Sequence, residues 1–444
     1  MTTLSDLNKY YRTTNATATA ADIATSKIAY INGGRVVGGG TDPTPESGEL
    51  SVYRSCRDAD AIAADISVGK TAYTSLGSII GTLAPVAVTS VEIITPSFST
   101  TETTKTTNLS KGQDYTQCVP FVSYRRNTQG TASANNFEWV RATMIDNAGT
   151  PAVKLDRGVH GSLQFNFVVA VVEFNSNVSV QQIPWTVTAP TASSTPACTA
   201  VDLSKAFLVN TYMVTSGTGT GLDDGCVRTS FNSTTQINCY RNTASGFTES
   251  LSGVVYVVED KSAGNNYFSV QSFSGNNATA GNYDSTISSV TPASSTLIYT
   301  TANTPAGSTR TDLVITGELL NATTARITLP QTSSYQRYWA GFVVTWNDGT
   351  TVQRGTKSVT STTTTSVQTE STAITPVDTT RSIAISTMQM SINTAANQNH
   401  TFIVTEDVYA ISVRSGGAYI DMAHYSSYTA LPTIIKWEVI EFAT

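Results

Sequence analysis

Internal repetition constrains this 444-residue chain more than any other feature, because repeated sequence folds into repeated units that must bury their apolar faces on one another. Two repeat families are present. In the first, ATAADIATSKIAYINGGRVVGG around Asp22 recurs as AIAADISVGKTAYTSLGSIIGT around Asp65, with identities at Asp22/Asp65, Lys27/Lys70, Tyr30/Tyr73 and Gly34/Gly77. Each copy reads as a helical turn at Ala-Ala-Asp-Ile, a strand through Lys-x-Ala-Tyr, a glycine-containing turn, and a second apolar strand at Val36 and Val37 or Ile79 and Ile80. About twenty residues cannot bury a core alone. Residues 1–84 are therefore expected to pack copy on copy or on a larger assembly, with Asp22, Lys27, Tyr30, Asp65, Lys70 and Tyr73 as docking candidates.

The second family fills the rest of the chain. Apolar strands closing on acidic or aromatic residues recur as FNFVVAVVEF, SGVVYVVED, AGFVVTWND and IIKWEVIEF, and the steps from Glu173 to Glu259, Trp346 and Glu441 are 86, 87 and 95 residues. Turn-like segments precede an apolar strand in each period, at 108–124, 201–213, 290–302 and 377–390. Short strands with turn signals every 8–12 residues describe an antiparallel sandwich module. The expected fold is all-β: small N-terminal β-hairpin repeats over 1–84, then four tandem antiparallel β-sandwich (jelly-roll-like) modules at 85–176, 177–262, 263–349 and 350–444. Composition agrees, since only 13% of residues are charged and the Thr- and Val-rich remainder suits a pleated sheet.

Both families resemble known virion sequences. The second hairpin copy, D-I-S-V-G-K-T-A-Y-T-S-L-G-S-I-I-G, resembles a short repeat of bacteriophage tail and other virion-associated proteins; the first copy departs from it at Ser26. VDLSKAFLVNTYM, CVRTSFNSTTQINCYR, VVYVVED and TVQRGTKSV, in order, resemble a tandem β-repeat of phage structural proteins. Module three departs from that pattern by lacking the terminal Glu-Phe. The resemblance implies a structural component of a tailed phage, located in the virion: a tail fibre or tail-associated protein attached through its N-terminal region. The alternatives are a capsid-decoration or head-fibre protein, and further off a carbohydrate-binding adhesin or a depolymerase. Partners on this reading are other virion proteins, its own copies as a homotrimer, and a host surface glycan. The modules are expected to form an elongated series.

Enzyme chemistry is not expected. There are three histidines, His160, His400 and His424, and none stands in a metal-binding or nucleophile motif. Neither a cofactor nor a metal site is read from the chain, and no catalytic residue is assigned. Carboxylates at Glu138, Asp146, Asp156, Asp223, Asp224, Glu259 and Asp260 fall in turns and strand ends, where backbone capping is their usual work. Glu173, Glu259 and Glu441 sit at equivalent places in the repeat, so they read as structural or interface residues at module ends. Arg141 and Arg157, Arg228 and Arg241, and Arg310 and Arg326 flank paired strands and are expected to bridge to carboxylates of the adjacent module, with binding of an anionic glycan as the alternative. Trp139, Trp185, Trp339, Trp346 and Trp437 fall mostly in strands and read by default as core or interface residues; sugar stacking by Trp185, or by Tyr425 and Tyr428, is the alternative.

Five cysteines make an odd set without a CxxC. Cys226 and Cys239 bracket two strands and a turn at 232–235 and could face one another as a disulfide; buried thiols are the commoner alternative. A net charge of −6 gives no basis for binding nucleic acid. No run of apolar residues long enough for membrane insertion and no secretory leader is read.

Overall fold

The computed structural model describes the backbone strands at 28–31, 34–37, 71–74 and 77–80, and residues 86–126, 139–158, 164–216, 226–241, 250–262, 267–303, 315–329, 336–360, 366–390, 410–426 and 432–443. The chain divides into two compact units, Met1–Pro85 and Val86–Thr444.

In the first unit, β1 (Ile28–Ile31) pairs with β2 (Gly34–Val37) and β3 (Thr71–Thr74) with β4 (Gly77–Ile80). The two hairpins join through their first strands into one antiparallel sheet of order β2-β1-β3-β4, with Tyr30 opposite Tyr73. The repeated Lys-x-Ala-Tyr strands thus meet in the middle, and β2 and β4 form the edges. Asp22, Lys27, Asp65, Lys70 and the expected helical turns lie outside the described residues.

The second unit is all-β and repeats one topology four times. Module one holds β5 (Val88–Ile94), β6 (Ser97–Phe98), β7 (Thr104–Asn108), β8 (Cys118–Arg126), β9 (Val140–Asn147), β10 (Thr150–Arg157) and β11 (Phe165–Phe174). Module two holds β12 (Val178–Val187), β13 (Ser193–Ser194), β14 (Ala206–Ser216), β15 (Arg228–Ser233), β16 (Gln236–Tyr240) and β17 (Ser250–Asp260). Module three holds β18 (Phe268–Asn277), β19 (Gly281–Thr286), β20 (Ser295–Asn303), β21 (Thr316–Asn321), β22 (Thr324–Leu329) and β23 (Arg337–Trp346). Module four holds β24 (Thr351–Thr360), β25 (Ser366–Ala373), β26 (Ser382–Met390), β27 (Ala410–Val413), β28 (Tyr419–Ser426) and β29 (Pro432–Glu441).

With β5 and β6 together counted as one interrupted first strand, every module has six strands. The first, sixth and third make one antiparallel sheet, and the second, fifth and fourth make the other. The apolar sixth strand is therefore the centre of its sheet, which explains why it reads as continuously apolar rather than alternating. One face fills its own sandwich: Phe165, Phe167, Val169 and Val171 are each at most 1% exposed. The other face packs on neighbouring modules of the same chain, as Tyr256 does on Ala142 and Phe342 on Phe231.

Register fixes the equivalences. Glu173, Glu259 and Glu441 face Cys118, Ala206 and Ser382, and Thr345 faces Ser295 in module three. The landmark in module three is thus Thr345, one residue before the Trp346 expected from spacing. Aromatic and glycine residues also trade strands at fixed ladder positions. Trp185 pairs across from Gly253 in module two, and at the same position Gly275 pairs with Trp339 in module three. Phe273 and Gly341 exchange with Gly355 and Trp437 in the same way. A Cβ added at Gly253 would lie 2.4 Å from the Trp185 ring, so the indole occupies the space its partner leaves empty.

The modules do not form the elongated series expected from sequence. Within Val86–Thr444 they close into a ring, and one device repeats at all four joints. Thr211 Oγ1 on β14 donates to Ala142 O on β9 (2.9 Å) and accepts from Ala142 N–H (3.1 Å). Thr300 does the same to Thr229 of module two (3.3 and 2.7 Å), and Thr387 to Gly317 of module three (3.5 and 3.4 Å). Ser123 of module one closes the circuit on Ile411 of module four, 288 positions away, at 3.3 and 3.2 Å. In each case a hydroxyl on a third strand satisfies the N–H and C=O on the open edge of the preceding module's fourth strand. Edge strands left bare invite foreign pairing; here the edge is occupied from within.

Candidate functional site

The four third strands converge at the centre of the ring and present equivalent residues there in layers. Val119, Phe207, Thr296 and Ile383 form a layer at most 1% exposed. Phe207 packs edge-to-face on Phe268 (5.5 Å) and Trp346, and Trp346 on Phe442 (5.4 Å). The next layer, Phe121, Val209, Ile298 and Ile385, lines two cavities of about 360 and 230 Å³. The cavities share walls at Phe121, Val209, Asn210, Ile385 and Ser386. The third layer is the set of joint hydroxyls. The smaller cavity carries the charged groups Glu318, Arg354, Lys436 and Glu438. Arg354 donates to Glu438 (3.1 Å) within module four and to Pro292 O of module three (2.7 Å), and Lys436 donates to Glu318 (2.8 Å), so both cations tie module four to module three. Among the described residues, the larger cavity has no charged side chain in its wall.

Glu173, Glu259 and Glu441 are held apart, one per module, and each works inside its own module. Their carboxylates accept the N–H of Asp114 (2.8 Å), Asp202 (2.7 Å) and Asp378 (3.0 Å). Each of those aspartates in turn accepts from a residue two positions on, Thr116, Ser204 or Thr380. The hydroxyl and N–H of Ser204 hold the Asp202 carboxyl below its usual range, and Thr380 does the same for Asp378. Module three has Thr291 and Thr345 at these two positions, so both halves of the clamp are replaced together.

A second repeated clamp went unread in the sequence. Gln181, Gln271 and Gln353 occupy one position of the first strand. Each amide accepts and donates across the loop leading to the third strand, at Thr199 (2.7 and 3.2 Å), Ser288 (2.6 and 3.1 Å) and Thr375 (2.8 and 2.8 Å). Glu92 takes the equivalent place in module one and accepts from Ser110 and Lys111. The signal was present as Val-Gln at 180, 270 and 352 and Val-Glu at 91.

The arginines bridge mostly within modules, against expectation. Arg141 meets Asp156 at 2.8 Å on the adjacent strand, Arg326 meets Asp284 at 2.7 Å, and Arg414 meets Asp421. Arg157 lies over Phe98 and Phe165 (5.0 and 5.5 Å). The exceptions are Arg141, which also donates to Ser252 of module two (2.8 Å), and Arg228, which lies over Tyr338 of module three (5.8 Å). Burial pushes the Asp156 carboxyl up, but the bonds from Arg141 and Thr104 outweigh it and hold the group below the ordinary range. Arg310, His160 and His400 lie outside the described residues.

Among the other sequence candidates, Trp185, Asp146 and Asp260 take structural roles. Trp185 is 3% exposed and donates to Asn210 (3.0 Å), so it offers no face for a sugar. Tyr425 lies on β28, and Tyr428 lies outside the described residues. Asp146 caps the turn at Gly149, and Asp260 accepts from Ser262 and Tyr267; Glu138, Asp223 and Asp224 are not described. Cys226 and Cys239 do not form a disulfide: the residue opposite Cys239 is Thr229, three positions past Cys226. Burial pushes the Cys239 thiol far up, as it does Cys118. Among the described residues no group of three or more His, Cys, Asp or Glu could hold a metal ion, and no helix is long and apolar enough to cross a membrane.

Comparison with family models, with curated proteins and with solved structures returns no match for this chain.

Proposed function

We propose that the chain is a structural component of a tailed-bacteriophage virion, a tail fibre or tail-associated surface protein attached through its N-terminal hairpin repeats, and that it catalyses no reaction. One observation carries this reading: the repeated polar groups of Val86–Thr444 hold the architecture. The same carboxylate, amide and hydroxyl positions recur from module to module, fixing a loop or joining a neighbour. Residues that recur at one position from module to module are poor candidates for a unique catalytic centre. The N-terminal sheet supports the attachment role, since among the described residues β2 and β4 each pair on one side only and offer edges to other virion proteins and to further copies in a homotrimer.

The test is location. Mass spectrometry of purified particles should find the chain at fixed stoichiometry, and gold-labelled antibody should decorate the tail. Label on the head would move the assignment to a decoration or head-fibre protein. Absence from particles, with the protein present in the lysate, contradicts the proposal.

A further inference from the structure

The four joints of the ring carry different side chains at one equivalent position of the sixth strand. On the outer face of each sixth strand, opposite Val209, Ile298 and Ile385 of the third strand, stand Tyr256, Phe342 and Glu438. Each reaches into the preceding module. Tyr256 OH donates to Ala142 O (3.1 Å) and accepts from Met144 N–H (2.9 Å). The Phe342 ring meets Phe231 edge-to-face at 5.9 Å. Glu438 accepts from Leu297 N–H (3.1 Å). At the fourth joint, where module one meets module four, the same position opposite Phe121 is Ala170.

The ring that fills two of the other joints is therefore missing at this one, and the 360 Å³ cavity lies there, walled by Ala170, Phe121, Ile93, Ile411 and Val413. That volume lies within the ~300–1,000 Å³ of small-molecule sites. The described residues of its wall bear no charge, which disfavours an ionised ligand. The fourth strand of module four is also in place. Ile411 corresponds to Ala142, since each is the residue clamped by a joint hydroxyl, and Val413 corresponds to Met144. By the two-residue alternation of a strand, Val413 turns its N–H to the same side as Ile411.

We propose that this joint binds an uncharged, phenol-like small molecule: a single aromatic ring in the place of the missing side chain, with a hydroxyl taking Val413 N–H and Ile411 O as Tyr256 OH takes Met144 N–H and Ala142 O. The site lies in the ring itself and does not depend on where the chain resides.

The probe is p-cresol, which is the tyrosine side chain as a free molecule. The full chain should bind it saturably, with backbone amide shifts in a ¹⁵N spectrum centred on 411–413. Toluene, lacking the hydroxyl, should bind at least tenfold more weakly. Ala170→Tyr should fill the cavity with its own ring, raise the melting temperature and abolish binding. If that variant fails to fold, the amide shifts of the unaltered chain and the toluene comparison decide. No saturable binding, shifts elsewhere, equal affinity for toluene, or a folded Ala170→Tyr protein that binds as before each overturn the assignment. Binding of glucose in place of p-cresol overturns it in favour of a sugar.

Discussion

Replacing Thr211 with valine tests how the joints hold. The swap keeps the shape of the side chain and removes only the hydroxyl, at a residue 7% exposed. Ala142 is fully buried, and its N–H has Thr211 as partner while its C=O accepts from both Thr211 and Tyr256. Losing the hydroxyl orphans the N–H but leaves the carbonyl satisfied, at a cost of about 1–3 kcal/mol. Tyr256→Phe alone orphans Met144 N–H and leaves the carbonyl to Thr211. The double variant strips the carbonyl of both donors, so its cost exceeds the sum of the singles by about 1 kcal/mol or more. Thr215→Val, whose hydroxyl bonds Ser250 O at an exposed position, is the control and should change stability by less than about 0.5 kcal/mol. Urea unfolding followed by tryptophan fluorescence measures all four. A Thr211→Val cost equal to the control, or strict additivity in the double variant, refutes the joint as described.

Other outcomes follow from single residues. Gly417 has φ +73°, and a Cβ there would sit 1.9 Å from Val377 O; Gly417→Ala should cost more than about 2 kcal/mol in module four, read by the same unfolding assay. The depressed carboxyl of Asp156 contributes stability that is complete above its unfolded pKa of about 3.9 and is lost as pH falls through the lower folded value. Asp156→Asn should therefore flatten the fall in melting temperature between about pH 4 and pH 2. Thiol labelling of the native protein should spare Cys118 and Cys239, whose burial raises their pKa, until denaturant is added; rapid native labelling of either contradicts their placement.

The repeat made much of this fold legible. Glu173, Glu259 and Glu441 were found from their spacing because an acidic side chain at the end of an apolar run is conspicuous, and the register places them at one position. The slip to Trp346 arose where Thr345 replaces the acid, leaving the neighbouring aromatic as the visible landmark. Trp185 reads by default as a core or interface side chain, and it is buried, but what makes room for it was not legible: the absence of a side chain at Gly253, 68 positions away. Ring closure left no trace in the sequence either. The residues that make it are four hydroxyls in a chain rich in serine and threonine, and similarity among modules does not say whether the fourth returns to the first. Ala170 stands out only once its equivalents Tyr256, Phe342 and Glu438 are known from the ladder.

Closure itself is the claim on which the joints and the cavity rest. Phe121 lines both central cavities, so a photo-activatable benzoylphenylalanine in its place should, on irradiation of dilute protein, form adducts within one chain to peptides of module two and module four, including 410–413. Adducts confined to module one, or formed only between chains, contradict the ring.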